Sequence, residues 1–107
     1  MTLIQLPEID AEGYLLDPNE WSESVAEEFA RQENIVLTGD HWDVIRFVRT
    51  YFDEHQVAPD ARFVIKHLMQ RLGPTSRNKL FELFPYGYVK QTCRIAGMKR
   101  PRTWSTG

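Results

Sequence analysis

The stretch Gly73-Pro74-Thr75-Ser76-Arg77-Asn78-Lys79-Leu80-Phe81-Glu82-Leu83-Phe84-Pro85-Tyr86-Gly87-Tyr88-Val89-Lys90-Gln91-Thr92-Cys93-Arg94-Ile95-Ala96-Gly97-Met98 divides itself into helices by its own punctuation. Gly73-Pro74 stops whatever helix precedes it. Thr75 or Ser76 supplies a cap for a short helix through Lys79, Leu80, Phe81, Leu83 and Phe84, and Pro85 ends that helix. A last helix is predicted from Gly87 to Ala96, with Gly97 as its C-cap. Within it Cys93 lies four residues after Val89 and three before Ala96, the spacing of a buried stripe. Beyond Met98 the run Lys99-Arg100-Pro101-Arg102-Thr103-Trp104-Ser105-Thr106-Gly107 has no periodicity, and residues 98–107 are expected to form a mobile basic arm.

Upstream of that stretch the same logic gives more helices. Thr38-Gly39-Asp40 opens the strongest one, in which Trp42, Ile45, Phe47, Val48, Tyr51 and Phe52 make a wide apolar stripe. After His55-Gln56-Val57-Ala58, Pro59 starts another helix with Phe63, Val64, Leu68 and Leu72 inward. Two helices joined by so tight a link predict a helix-turn-helix shape. Asp17-Pro18-Asn19-Glu20 carries the cap, proline and acid of a helix start, with Ser22 a second start, so one helix is expected to about Gln32. Its inward residues are Trp21, Val25, Ala26 and Phe29. At the N-terminus, Ile4 to Asp10 and Ala11 to Leu16 alternate about a polar turn, which predicts a short β-hairpin with Gly13 free to take positive φ. The fold class is thus mainly α: one small helical domain over residues 1–107, with an N-terminal hairpin and a flexible C-terminal arm.

The 107 residues are 42% hydrophobic, enough for one modest core without metal or disulfide as a staple. Net charge is only −2, but its distribution is uneven. From Arg71 onward eight Lys/Arg face one acid, Glu82, while the first forty residues are acidic. Such polarity suits an oriented encounter with an acidic partner or with phosphate. A single cysteine excludes an intramolecular disulfide, and no signal peptide or long apolar run is apparent. The expected location is therefore a reducing cytoplasm, with no membrane association and no small-molecule cofactor.

Cys93 is the first candidate for chemistry, because a thiolate is the one strong nucleophile this chain can offer. Pointing outward, it would be flanked by Lys90 and Arg94, whose charges would favour the thiolate. Pointing inward with Val89 and Ala96, it would be a small core residue. Trp104 on the basic arm suits a docking role with Lys90, Arg94, Lys99, Arg100 and Arg102, since an aromatic ring can anchor in a pocket. Arg62, Lys66, Gln70 and Arg71 on the helix after Pro59 are candidate DNA contacts, although Asp43, Asp53 and Glu54 on the companion helix would repel phosphate. His41, His55 and His67 lack metal-ligand spacing and read as surface or helix-end residues, so no metal site is expected. Ser76 and Thr75 have no base at a recognisable spacing, and catalysis by this chain alone is not expected.

The segment Leu83 to Met98 followed by Pro101 resembles the closing region of the DsrC/TusE family, which holds the gamma subunit of dissimilatory sulfite reductase and a relay protein of tRNA thiolation. His41-Trp42-Asp43-Val44-Ile45-Arg46-Phe47-Val48-Arg49, Ala58-Pro59, Lys66, Gly13-Tyr14-Leu15 and Trp21-Ser22-Glu23 extend the resemblance over almost the whole chain. It implies a small sulfur-metabolism protein that docks on sulfur-relay or sulfite-reductase partners and is at most a persulfide carrier. In such proteins the carrier cysteine sits near the end of the arm, often with a second cysteine eleven residues earlier. Cys93 matches the earlier one, and Trp104 stands eleven residues on, at the carrier position. The resemblance therefore leaves Cys93 as the only group able to hold persulfide, with DNA-binding regulation as the alternative.

Overall fold

A computed structural model of the protein describes residues 7–98. Five α-helices follow one another: α1 (Glu23–Gln32), α2 (Gly39–His55), α3 (Ala61–Leu72), α4 (Ser76–Leu83) and α5 (Tyr88–Ile95). Their boundaries have local causes. Ser22 caps α1 by accepting from Val25 N at 3.3 Å, and Asp60 caps α3 by accepting from Arg62 N at 3.1 Å. At α2 the third residue takes the place usually held by Glu: His41 Nδ1 accepts from Thr38 N at 3.0 Å. Gln56 ends α2 in the left-handed region at φ 61°, and Gly73 and Gly97 turn the chain at φ 66° and 75°.

The most completely buried helix is α5. Tyr88, Val89, Gln91, Thr92, Cys93 and Ile95 are all buried, which leaves Lys90 alone fully exposed on this helix. It packs against α1, through Val25, Ala26, Phe29 and Ala30, and against α2, through Val44, Ile45 and Val48. Helix α3 packs on α4 and on α2, and the pair brings Val64, Leu68, Leu80 and Leu83 to the core. Each fully buried Val, Leu, Ile or Phe contributes about 1.5–3 kcal/mol by leaving water. Tyr88 adds a hydrogen bond from its hydroxyl to Pro59 O at 2.8 Å, inside the core.

Four expectations are corrected. Among the described residues the N-terminal hairpin is one isolated antiparallel bridge, Ile9 to Leu15, with no strand. Asp10 explains why: its carboxylate accepts from Glu12 N at 2.8 Å and Tyr14 N at 3.0 Å, so a side chain takes backbone donors that a ladder would need. The single helix expected from Asp17 is split. Pro18–Glu20 is a 3₁₀ turn, Trp21 is extended at ψ 147°, and α1 begins only after Ser22. Phe63, expected inward, is 44% exposed; it stacks on Tyr51 at 5.8 Å, in a surface ladder with Phe47, His55 and His67. Met98, expected as the first residue of the arm, is buried, with its N–H on Cys93 O at 2.8 Å; the rest of that expectation, residues 99–107, lies outside the described residues.

Candidate functional site

Cys93 points inward. It is 2% exposed within the cluster that includes Tyr14, Phe29, Val89 and Ala96. Burial pushes its thiol up from 9.0 to about 12, because a thiolate there would lose its hydration. Of the two cations expected to activate it, Lys90 is exposed on the outer side of the helix. Arg94 is engaged elsewhere: its Nη1 donates to Glu33 at 2.5 Å, its Nε to Gly13 O at 3.2 Å, and its Nη2 to Gln32. The guanidinium also lies over the Phe29 ring, 4.9 Å from its centroid. Gln91 donates to Glu33 at 3.0 Å and accepts from Tyr86 N at 3.1 Å. The Glu33 carboxyl loses hydration by burial, but the hydrogen bonds from Gln91 and Arg94 outweigh that loss and hold it below its ordinary range.

A second cluster closes the C-terminal end of α5. Trp21 Nε1 donates to Ile95 O at 2.9 Å, and Arg49 Nη1 donates to Ala96 O at 2.7 Å. Arg49 is stacked on the Trp21 ring at 4.1 Å and reaches Pro18 O at 3.4 Å. A cation against the last carbonyls of a helix is stabilised by the helix dipole. Gly97 is packed so closely that a Cβ would stand 2.4 Å from Trp21 Cδ1. Trp21, Arg49 and Gly97 together form a clasp on the end of α5. Sequence reading assigned Trp21 to the core and gave Arg49 and Gly97 no joint role; an aromatic, an arginine and a glycine 76 positions apart carry no common local signal.

The candidate DNA contacts do not form one basic face. Arg71 donates to Asp40 at 2.6 Å and to Asp43 at 2.9 Å, and Arg62 pairs with its own N-cap Asp60 at 3.3 Å. Lys66 and Gln70 are exposed. His67 Nε2 joins the same cluster through Asp43 at 2.9 Å, and Lys79 reaches Asp40 at 3.5 Å. His41, read as a surface or helix-end residue, is at the helix end but buried. Its Nδ1 accepts from a backbone N–H, so Nε2 carries the proton and donates to Leu83 O at 2.9 Å. Burial accordingly lowers its pKa. Lys99, Arg100, Arg102 and Trp104 lie outside the described residues. Among the described residues no three His, Cys, Asp or Glu groups gather as metal ligands, and no helix is long and apolar enough to cross a membrane.

The family model for DsrC-like proteins matches residues 4–104. The chain belongs to the DsrC-like family. Among curated relatives it is similar to the sulfurtransferase TusE of Pectobacterium atrosepticum, 44% identical over 94 residues that make up 86% of each chain. It is also similar to the sulfurtransferase TusE of Buchnera aphidicola from Acyrthosiphon pisum, 43% identical over 96 residues, 88% of this chain and 84% of the relative. Among solved structures, the oxidized gamma subunit of dissimilatory sulfite reductase from Archaeoglobus fulgidus has a TM-score of 0.83 at 38% identity, covering 92% of this chain and 91% of that one. DsrC of Allochromatium vinosum gives 0.76 at 44% identity, covering 90% and 88%. The mainly helical DsrC-like fold is thus common to this chain and to both structures.

Proposed function

We propose that this DsrC-like protein is a component of a sulfur relay, which docks on a sulfur-transfer or sulfite-reductase partner, and that any persulfide it carries forms on Cys93. Relatives named as sulfurtransferases and as a sulfite reductase gamma subunit support the partner class. The observation that carries the carrier role is that the chain has no other thiol. Transfer would proceed by attack of the Cys93 thiolate on the outer sulfur of a donor persulfide. The new Sγ–S bond forms as the donor's S–S bond breaks, the donor leaves as a thiolate, and no net oxidation occurs. With the thiol held near 12, only about one molecule in 10⁵ is thiolate at pH 7, so the step requires an opening of the fold around it. Lys90, on the exposed side of the same helix, and Lys99, Arg100, Arg102 and Trp104 supply the docking groups; Arg94, held by Glu33 and Gly13, does not.

No specific observation favours DNA as the partner, since Arg71 is neutralised by two aspartates. The test is intact-mass spectrometry of the native protein after incubation with a cysteine desulfurase and cysteine, beside Cys93→Ser. A gain of one sulfur atom, absent from the variant, is the expected result. No gain in the folded protein, with normal thiol labelling after unfolding, would make Cys93 structural and leave docking without transfer.

A further inference from the structure

A segment outside the helices, the turn Ile9–Leu15, contributes to the core cluster that holds Cys93. The turn from Ile9 to Leu15 has a single bridge as its one ladder contact among the described residues, yet it delivers Tyr14 and Leu15 into the same core cluster as Cys93. Among the described residues its hydrogen bond to α5 comes from Arg94, the residue after Cys93. Nε reaches Gly13 O at 3.2 Å, while Nη1 and Nη2 tie the same guanidinium to Glu33 and Gln32 at the end of α1. Gln91, one turn back on α5, holds the other oxygen of Glu33 at 3.0 Å. Gly13, at φ 94°, sits so close that a Cβ would stand 3.2 Å from Arg94 Nε.

We propose that the turn Ile9–Leu15 is a flap over Cys93, latched by Arg94 to Gly13 and Glu33, and that its opening gives a persulfide donor access to the thiol without unfolding the helices. Segments with few backbone ladder contacts open at far smaller free energies than the global fold. The remaining cover of α5 comes from α1 and α2, whose removal would dismantle the core. The Tyr14 hydroxyl, pushed up to about 12 by burial first and by Cys93 second, lies within electrostatic reach of the thiol, as a flap residue must. For sulfur transfer the flap rests on Cys93 being the carrier; thiol access as such does not.

The test uses the native full chain and a maleimide, with no sulfur donor, so that it can succeed where persulfide transfer fails and fail where transfer succeeds. Labelling of Cys93 is followed over low urea concentrations, and global stability is measured in parallel. In the wild type, labelling through the flap shows a urea slope well below the equilibrium m-value. Arg94→Met keeps an apolar stem over Phe29 and removes the latch. It should accelerate labelling by about ten- to a hundredfold at zero urea, the population change expected for one lost charge-assisted hydrogen bond. Glu33→Gln, a milder cut of the same latch, should accelerate it in the same direction should Arg94→Met not fold. Val64→Ala, in the distant α3 core, should lower global stability without changing the rate. A wild-type slope equal to the full m-value, folded latch variants that label no faster than wild type, or equal acceleration by Val64→Ala would each overturn the proposal.

Discussion

Replacing Gly97 by Ala tests the clasp at the end of α5. The backbone there has φ 75°, where a Cβ costs about 1–2 kcal/mol. The added methyl would lie 2.4, 2.7 and 2.8 Å from Trp21 Cδ1, Cγ and Cβ, so the indole must move rather than bend a flexible tip. Overpacking of that kind costs about 1–3 kcal/mol, and the Trp21 bond to Ile95 O is worth about 0.5–1.5 kcal/mol more. Gly97→Ala should therefore destabilise the protein by roughly 3–6 kcal/mol, a large part of the ~5–15 kcal/mol available to a small domain. Urea unfolding followed by far-ultraviolet circular dichroism reads this as a lower midpoint at unchanged slope. Gly39→Ala, at the start of α2 with nothing within 4 Å of its Cβ, should stay within about 1 kcal/mol of wild type. In a Trp21→Ala background the cost of Gly97→Ala should shrink, because the Cδ1 and Cγ clashes and the indole bond are gone, yet stay above the backbone part of about 1–2 kcal/mol, because the contact with Cβ at 2.8 Å remains. A Gly97→Ala protein within 1 kcal/mol of wild type, or a cost unchanged by Trp21→Ala, would refute the reasoning.

Two further outcomes follow from buried groups near the same helix. The Cys93 thiol has a raised pKa in the folded state, so its contribution to stability is complete below 9.0, where the unfolded thiol is also protonated, and is lost as pH rises from there toward about 12. Between pH 9 and 10 the wild type should lose about 1 kcal/mol more than Cys93→Ala in parallel urea titrations, and equal losses would show the thiol to be hydrated in the fold. Thr92 Oγ1 is buried and has no hydrogen-bond partner among the described residues. Thr92→Val keeps the shape and removes the orphan, so it should raise stability by about 1 kcal/mol in thermal melts; a loss of that size would mean that the hydroxyl is bonded.

The four helices α1 to α4 were legible because their signals are local. Ser22, Thr38, Asp60 and Gly73 announce starts and stops within a few residues, and Val25, Phe29, Val44, Val48, Val64 and Leu68 repeat at helical spacing. The extent of α5 was legible too, from Gly87 and Gly97, but not its burial. Its sequence reads as half polar, and what lets Gln91 and Arg94 be covered is Glu33, Gln32 and Gly13, some 58 to 81 residues earlier. The spacing of Cys93 with Val89 and Ala96 left inward and outward readings open; the structure takes the inward one, because Arg94 turns its charge toward Glu33. The N-terminal alternation was real as a pattern, but periodicity cannot register that Asp10 would capture the turn's donors.

The pairing of α5 with α1 also says something about how this chain folds. Helices α3 and α4 are neighbours in sequence and can meet as soon as they form, whereas the bonds from Trp21 to Ile95 and from Arg94 to Gly13 close loops of 74 and 81 residues. Closing loops of that length costs entropy before any contact rewards it. Loop closure thus predicts that α5 joins α1 late, and until then Val25 and Phe29 of α1 lack the helix they pack against. A chain stalled at that stage would show helical content and exposed apolar faces together, the combination that makes folding intermediates prone to aggregate.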